Sequence, residues 1–330
     1  MPIIWRTATW RDIEESLSFH GAYKGDARVG SDAALRCWRD LVRDPFFASA
    51  ALVADPAIRG YRLVGVGASV LVSRAFADAE IANPRPDINS RIIASIHSGR
   101  SVLATRNEVA RANACGGVDV VVLGGIWHDQ ILSAAERQEV QTILATSFTE
   151  ALSGYRVRDI LHETANEPAR EFVQRSIVFS TIAQFSELGR FIHLMTSESV
   201  KAVPASLGNV IFRYREPLLR LRDSDQQLLL SALRGATDQE LSTLLGLKVS
   251  AVKARWRSAF ARIEQTLPGL VADVGDRGGR GLQKRHRVLA YVRNHLEELR
   301  PYDWNMITSS SDANRKRRRV NWRSRPASAH

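Results

Sequence analysis

Five residues near position 250 have the types and the spacing that suit contact with a phosphate backbone. They are Lys248, Ser250, Lys253, Ala254 and Arg257. Lys253 and Arg257 lie four residues apart, so on a helix their side chains share one face. Cations on such a face can reach phosphates or base edges, and small neighbours let the backbone approach a groove. The pattern predicts a DNA-binding surface.

Three predicted helices position this surface. They span 225–233, 238–245 and 250–267, and the segment 223–270 contains them all. Thr237 and Glu240 have the spacing of a capping box, and Gly246 ends the second helix. We expect Ser250 to cap the third helix. A short helix, a turn with glycine and a longer helix are typical of the helix-turn-helix, whose second helix enters the major groove.

The third helix has an apolar stripe opposite its cationic face. The stripe repeats at i, i+4, i+7 and i+8, the spacing that predicts burial against the other two helices. Its members are Val252, Trp256, Ala259, Phe260, Ile263 and Leu267.

The segment resembles the DNA-binding domain of LuxR-type transcription regulators. The residues that carry the resemblance are Leu221, Asp225, Leu228, Leu229, Arg234, Gly235, Ala236, Thr237, Glu240, Leu241, Leu244, Gly246, Leu247, Ser250, Ala251, Val252, Lys253 and Ile263. It is also similar to region 4 of extracytoplasmic sigma factors. The resemblance covers about 50 residues and implies a bacterial regulator with its recognition helix at about 250–267. It departs from the family at Asp225, Ala251 and Arg255, where Glu, Thr and often His are usual.

The distribution of charge supports a polyanion partner. The chain carries a formal net charge of +11. Residues 201–330 hold 25 Lys and Arg against 12 Asp and Glu, whereas residues 1–200 hold 21 against 23. All the excess positive charge therefore belongs to the C-terminal part, as expected of a nucleic-acid-binding module joined to a near-neutral domain.

The first 200 residues predict a mixed α/β domain. Residues 32–42 have helical periodicity, and 61–72, 118–123 and 155–162 are rich in β-branched residues. We therefore predict an α+β protein: an N-terminal mixed α/β domain followed by an all-α helix-turn-helix domain. The predicted parts are a sensor or dimerisation domain at 1–200, the DNA-binding domain at 217–270, a C-terminal helix at 281–300 and a disordered basic tail at 305–330.

Catalytic patterns are weaker. His162 and Glu163 begin an H-E-x-x-H pattern that lacks its second histidine, and Gly65 to Gly67 is too short to be a dinucleotide fingerprint. The N-terminal strands could resemble an acetyltransferase fold, but the Q/R-x-x-G-x-G/A pyrophosphate loop of such enzymes is not recognisable. We therefore predict no enzyme, catalytic residue, cofactor or metal site. The alternatives are an acetyltransferase-like enzyme fused to a DNA-binding module, and a sigma-like factor.

The expected partners follow from this interpretation. They are double-stranded DNA, a small-molecule effector, RNA polymerase and a second copy of the chain in a homodimer. No apolar run reaches about 18 residues and no signal peptide is visible, so we expect no membrane association and a cytoplasmic location. Two cysteines, Cys37 and Cys115, are too few for a disulfide framework.

Overall fold

The computed structural model describes residues 3–16, 31–54, 63–127, 132–176, 178–203, 206–233, 235–271 and 280–306. The chain divides into two compact units that alternate along the sequence. Unit 1 comprises Met1–Glu108, Gly117–Ser153 and Val157–Arg213. Unit 2 comprises Val109–Gly116, Gly154–Arg156 and Tyr214–His330. The predicted disordered tail lies outside the described residues from position 307 onward.

Unit 1 is built on a mixed sheet. The described strands are β1 (Ile4–Arg6), β2 (Phe47–Val53), β3 (Leu63–Val72), β4 (Val118–Trp127), β5 (Val157–Thr164), β6 (Ser180–Phe185) and β7 (Arg190–Thr196). Their order across the sheet is β1-β2-β3-β4-β5-β7-β6. Neighbouring strands are antiparallel except for β4 and β5, which are parallel. A parallel pair needs a crossover connection, and a 19-residue helix supplies it.

Helices cover both faces of this sheet. In unit 1 they are α1 (Trp10–Ser16), α2 (Ser31–Arg43), α3 (Arg74–Ala82), α4 (Ile88–His97), α6 (Ala134–Leu152), α7 (Glu167–Ser176), α8 (Ser197–Lys201) and α9 (Gly208–Ile211), while α5 (Arg106–Ala114) begins in unit 1 and ends in unit 2. Residues of α2 and α4 belong to one apolar cluster with Val121 and Leu161. Helix α6 packs through Val140 in a separate cluster with Leu52 and Val64. Each face of the sheet therefore has its own apolar core.

Unit 2 is helical. From Tyr214 onward it contains α10 (Asp223–Leu233), α11 (Asp238–Leu244), α12 (Val249–Thr266), α13 (Pro268–Val271), α14 (Arg280–Asn294) and a 3₁₀ turn at Leu296–Leu299. The apolar stripe of α12 packs as its spacing requires, with Val252, Trp256 and Ile263 buried beside Leu228 and Val292.

Of the two capping predictions in unit 2, one is confirmed and one is wrong. The Thr237 side chain accepts a hydrogen bond from the Glu240 amide at 3.3 Å, and the Glu240 carboxylate accepts one from the Thr237 amide, so this capping box is confirmed. The prediction for Ser250 is wrong, because α12 begins at Val249 after Lys248 and Ser250 lies in its first turn.

The predicted fold class, an N-terminal α/β domain followed by an all-α helix-turn-helix domain, is wrong. The fold is a seven-stranded mixed sheet with flanking helices. The helices at 223–266 do not form a successive domain of their own, because unit 2 also takes Val109–Gly116 and Gly154–Arg156 from within the first 200 residues. Asn113 shows this, since its side-chain amide donates to the Pro301 carbonyl at 2.8 Å.

The described helices include none that is both long and apolar enough to cross a lipid bilayer.

Candidate functional site

The parallel strands β4 and β5 part in the middle of the sheet. Their pairing runs from Val118 and Val157 to Val122 and His162, yet both strands continue beyond it. Strand β4 stays paired with β3 as far as Trp127, and β5 stays paired with β7 as far as Thr164. We call the opening between residues 123–127 of β4 and 163–164 of β5 the strand gap. Among the described residues, β4 and β5 do not pair with each other across this gap, so each strand has one edge that faces it.

A β-bulge bends β4 where the gap begins. Ala68 of β3 pairs with Gly124 and Ser69 pairs with Val122, so Leu123 is an extra residue in β4. Gly124 has φ of +101°, a backbone conformation that L residues rarely adopt. A bulge increases local twist and bend, and bulges are common beside active sites. The residue that permits the bend is thus Gly124, two residues beyond the last pair with β5.

Two glycines allow helix α6 to lie close to β3 and β4. Gly67 and Gly125 are directly opposite each other in the ladder. A Cβ atom on Gly67 would lie 2.7 Å from Leu144 Cδ2, and one on Gly125 would lie 2.9 Å from Leu144 Cδ1. Leu144 therefore occupies the space that two side chains would need, which holds α6 against this end of β4.

The first turn of α4 binds both sides of the gap. The Glu163 carboxylate of β5 accepts hydrogen bonds from the amides of Asp87 at 2.8 Å and Ile88 at 2.7 Å. The next residue, Asn89, donates its side-chain N–H to the Leu123 carbonyl of β4 at 2.9 Å. We call this turn, residues 87–89, the clasp. It joins the two strands where they no longer pair with each other.

Charged side chains of both signs surround the clasp. The side chain of Glu163 is 3% exposed, and its burial raises the carboxyl pKa although the two amides and Arg190 oppose the shift. Arg190 lies 3.3 Å from the Asp87 carboxylate and 3.8 Å from that of Glu163. Arg190 therefore lies near both carboxyl groups, and the Arg91 guanidinium donates to the Pro86 carbonyl just before them. Asp87 also has φ of +61°, a strained conformation of the kind found at functional sites.

Two histidines occupy the other face of the sheet. His162 alternates with Glu163 along β5, so the two side chains point to opposite faces, and His193 of β7 is its direct partner. His193 is fully buried, with Nε2 at 2.9 Å from the Thr164 hydroxyl and Nδ1 at 3.1 Å from that of Thr181. Burial lowers the pKa of His193 to about 4 and that of His162 to about 3. Both rings are therefore neutral at pH 7.

Two cavities in unit 1 lie away from the strand gap. The larger, about 480 Å³, is lined by Arg6, Thr7, Thr9, Arg11, Asp12, Glu15 and Leu63. The other, about 300 Å³, is lined by Asp44, Ile96, Gly99, Arg100, Ser101, Val102, Leu103, Ala104 and Thr105. Residues of β4 and β5 line neither cavity. The parted strands are the better candidate site, because they combine strand edges that face a gap with buried polar groups.

The residues of the predicted DNA-binding surface lie in unit 2. Lys248 precedes α12, and Ser250, Lys253, Ala254 and Arg257 lie on this helix. All five are exposed. That they contact a ligand stays a prediction.

The candidate site was not predicted from the sequence. His162 and Glu163 form only an incomplete metal motif there, and His193 has no ligand-like spacing. Asn89 had no local signal, because its partner Leu123 is 34 residues away. The one available signal was Gly124-Gly125, directly after the predicted strand 118–123, where a strand interrupted by glycine suggests a bulge.

Comparison with known proteins gives matches among solved structures alone. No protein-family model and no curated protein matches the chain. One similar structure is the mosquito arylalkylamine N-acetyltransferase-like 5b protein, at 12% identity and a TM-score of 0.36 over 59% of this chain and all of that one. Another is FeeM, an N-acyl amino acid synthase from uncultured soil microbes, at 10% identity and 0.35 over 61% of this chain and 94% of that one. A third, the NatC complex bound to Gag peptide and CoA, has 10% identity and 0.31 over 59% and 99%.

These comparisons correct several predictions. The structures are acyltransferase-type proteins by name and include no LuxR-type regulator among those given above, so the predicted resemblance and the regulatory function are wrong. So are the prediction that the chain is not an enzyme and the expected partners, DNA and RNA polymerase. The misleading signals were local: caps and an apolar stripe occur wherever short helices pack. At these identities and TM-scores the likeness specifies no activity, so the activity proposed here rests on the strand gap.

Proposed function

We propose that unit 1 is an acyltransferase that moves an acyl group from the thioester of an acyl-CoA to an amine. The observation that carries the proposal is the parting of β4 and β5 inside an otherwise continuous sheet. The cytoplasmic location expected from the sequence belongs to the same proposal.

The strand gap suits the pantetheine arm of a CoA thioester. This arm is extended and carries two amide groups, so it can hydrogen-bond to a free strand edge as an added strand does. Residues 124–126 of β4 offer three residues of such edge, about 10 Å long at the usual rise of a strand. Pairing would satisfy backbone groups that β5 leaves unpaired.

The clasp suits the amine. In the transfer, an amine that arrives in its ammonium form first releases one proton to solvent. The neutral nitrogen then attacks the thioester carbonyl carbon, a C–N bond forms and the C–S bond breaks. The proton lost by the nitrogen ends on the CoA sulfur, and the products are an amide and a thiol. The clasp brings the polar residues Asp87, Asn89 and Glu163 to the gap, where an amine can find hydrogen-bond partners. Main-chain N–H groups of the open edge are the kind of donor that stabilises the oxyanion formed on attack.

Binding and turnover test the proposal directly. We expect acetyl-CoA to raise the melting temperature of the full chain, since a ligand that binds only the folded state stabilises it. Thiol release with 2-phenylethylamine, spermidine or L-alanine as acceptor, and the mass of the amide, would measure transfer. Absence of both acetyl-CoA binding and thiol release would refute the proposal.

A pair of glycine variants tests whether acetyl-CoA, the acyl donor, binds in the strand gap. Gly124 in the bulge and Gly99 after α4 both have positive φ and open space where a Cβ atom would be added. Gly124→Ala and Gly99→Ala should each cost about 1–2 kcal/mol of stability, because both strain the backbone. Only Gly124→Ala should raise the Kd of acetyl-CoA, by tenfold or more, because only Gly124 shapes the gap. Equal Kd values of acetyl-CoA for the two variants would mean that acetyl-CoA binds elsewhere.

A further inference from the structure

Asn89 lies at the edge of the strand gap, and its side-chain oxygen has no partner within the described part of the chain. Its side-chain nitrogen bonds the Leu123 carbonyl, but its Oδ1 atom is buried and accepts no hydrogen bond from any residue that the structure describes. The oxygen is attached to the same carbon as that nitrogen, so it too lies beside Leu123. Buried acceptors are normally satisfied, and an unsatisfied one calls for an explanation.

The surroundings fix Asn89 in this position. Asp87 and Ile88 are bound to Glu163, and the strained φ of Asp87 turns the chain into α4. The Asn89 side chain is thereby anchored through its backbone to β5 and through its amide nitrogen to β4. An anchored side chain with a free acceptor is prepared for a donor that arrives with a ligand.

We infer that Oδ1 of Asn89 accepts a hydrogen bond from the amino group of the acceptor substrate and positions it for attack. This inference rests on the proposed acyl transfer. An amine supplies the N–H donors that an unpartnered acceptor oxygen requires. Asn89 is thus a positioning residue for a primary amine, and it leaves the proton on the nitrogen for the later steps.

Two substitutions separate this role from a structural one. Asn89→Asp keeps an acceptor oxygen but loses the donor to Leu123, whereas Asn89→Leu loses both with a similar shape. If the oxygen positions the amine, Asn89→Leu raises the KM for the amine at least tenfold while Asn89→Asp raises it much less. The KM and Kd for acetyl-CoA stay within about twofold of wild type in both. Asn83→Ser, an exposed change six residues away, is the matched control and should leave every constant unchanged.

The experiment uses the full chain with acetyl-CoA and whichever of 2-phenylethylamine, spermidine and L-alanine is acylated fastest. Melting curves of each variant show that it folds. Equal increases in amine KM for the Asp and Leu variants would mean that only the bond to Leu123 matters, and would overturn the inference. So would an increase confined to the KM for acetyl-CoA. A wild-type chain that neither binds acetyl-CoA nor releases thiol would instead remove the proposed function, and this inference with it.

Discussion

At the scale of single residues, His193 shows how burial sets chemistry. Both ring nitrogens are within hydrogen-bond distance of threonine hydroxyls, and Gln174 donates to one of these, Thr181, at 2.8 Å. Protonating the ring would place a charge in a fully buried position, which is why burial, assisted by the charge of Arg170, lowers the pKa. The network stabilises a neutral imidazole.

This network predicts acid sensitivity. The pKa of His193 falls from 6.5 to about 4 on folding, so between these pH values the unfolded chain binds a proton that the folded chain does not. The resulting stability is complete above pH 6.5 and is lost as the pH falls towards 4. At about 1.4 kcal/mol per unit it amounts to about 3 kcal/mol.

Urea unfolding of wild type and His193→Gln across pH 7 to 4 measures this contribution. We expect the variant to be less stable at pH 7 and its stability to depend less on pH. His97→Gln, a change at an exposed histidine, should keep the wild-type dependence. Parallel curves for wild type and His193→Gln would show that His193 is not responsible.

At the scale of elements, the first turn of α6 bears on where the diphosphate of CoA can bind. Its first turn is closed by a capping box: the Ser133 side chain accepts from the Glu136 amide, and the Glu136 carboxylate accepts from the Ser133 amide at 2.9 Å. Helix N-termini attract anions, but here a carboxylate of the chain already occupies the position. The preceding loop, 128–131, lies outside the described residues.

Removing this charge tests whether the CoA diphosphate approaches α6. Glu136→Gln preserves the capping geometry and removes one negative charge. If the diphosphate lies near this end, the Kd of CoA should fall about two- to fivefold at low salt, and the gain should shrink as salt is added. Glu150→Gln removes the same charge from the exposed last turn and should have no effect. Equal Kd values for both variants and wild type would place the diphosphate away from α6.

The elements also show how far sequence reasoning reaches. Helices with strong caps and strands of β-branched residues were predicted near their observed ends, as for α11 and β3. Strand β2 was missed because three of its seven residues are alanine, which is uncommon in strands. The clasp was missed for another reason, since Glu163 and Ile88 are 75 residues apart and no local pattern records their pairing.

At the scale of the whole molecule, the charge asymmetry was overinterpreted. Several cations of unit 2 pair with its own carboxylates: Arg285 lies 2.8 Å from Asp238, and Arg262 lies 3.2 Å from Asp225. A net charge counted from sequence does not distinguish such internal partners from surface available to a polyanion. The sequence also gives no sign that unit 2 draws on three separate stretches of chain.

The two hydrogen bonds of Asn113 should contribute to the stability of unit 2. Asn113 is 1% exposed, donates to the Pro301 carbonyl and accepts from the Arg156 amide at 3.1 Å. Asn113→Ala breaks both bonds and should lower the free energy of unfolding by about 2–3 kcal/mol. Asn294→Ala, an exposed change in α14, should stay within about 0.5 kcal/mol. Chemical denaturation of both variants measures the difference, and equal effects would contradict the role of Asn113.

The three-part construction of unit 2 has a consequence for synthesis on the ribosome. Residues 109–116 and 154–156 emerge early, but their partners in unit 2 begin at Tyr214. At about 5–20 residues per second, the nascent chain waits several seconds between the first of these segments and the start of the last. During that time the side chain of Asn113 lacks its partner Pro301, so unit 2 can form completely only after the stretch that begins at Tyr214 has been made.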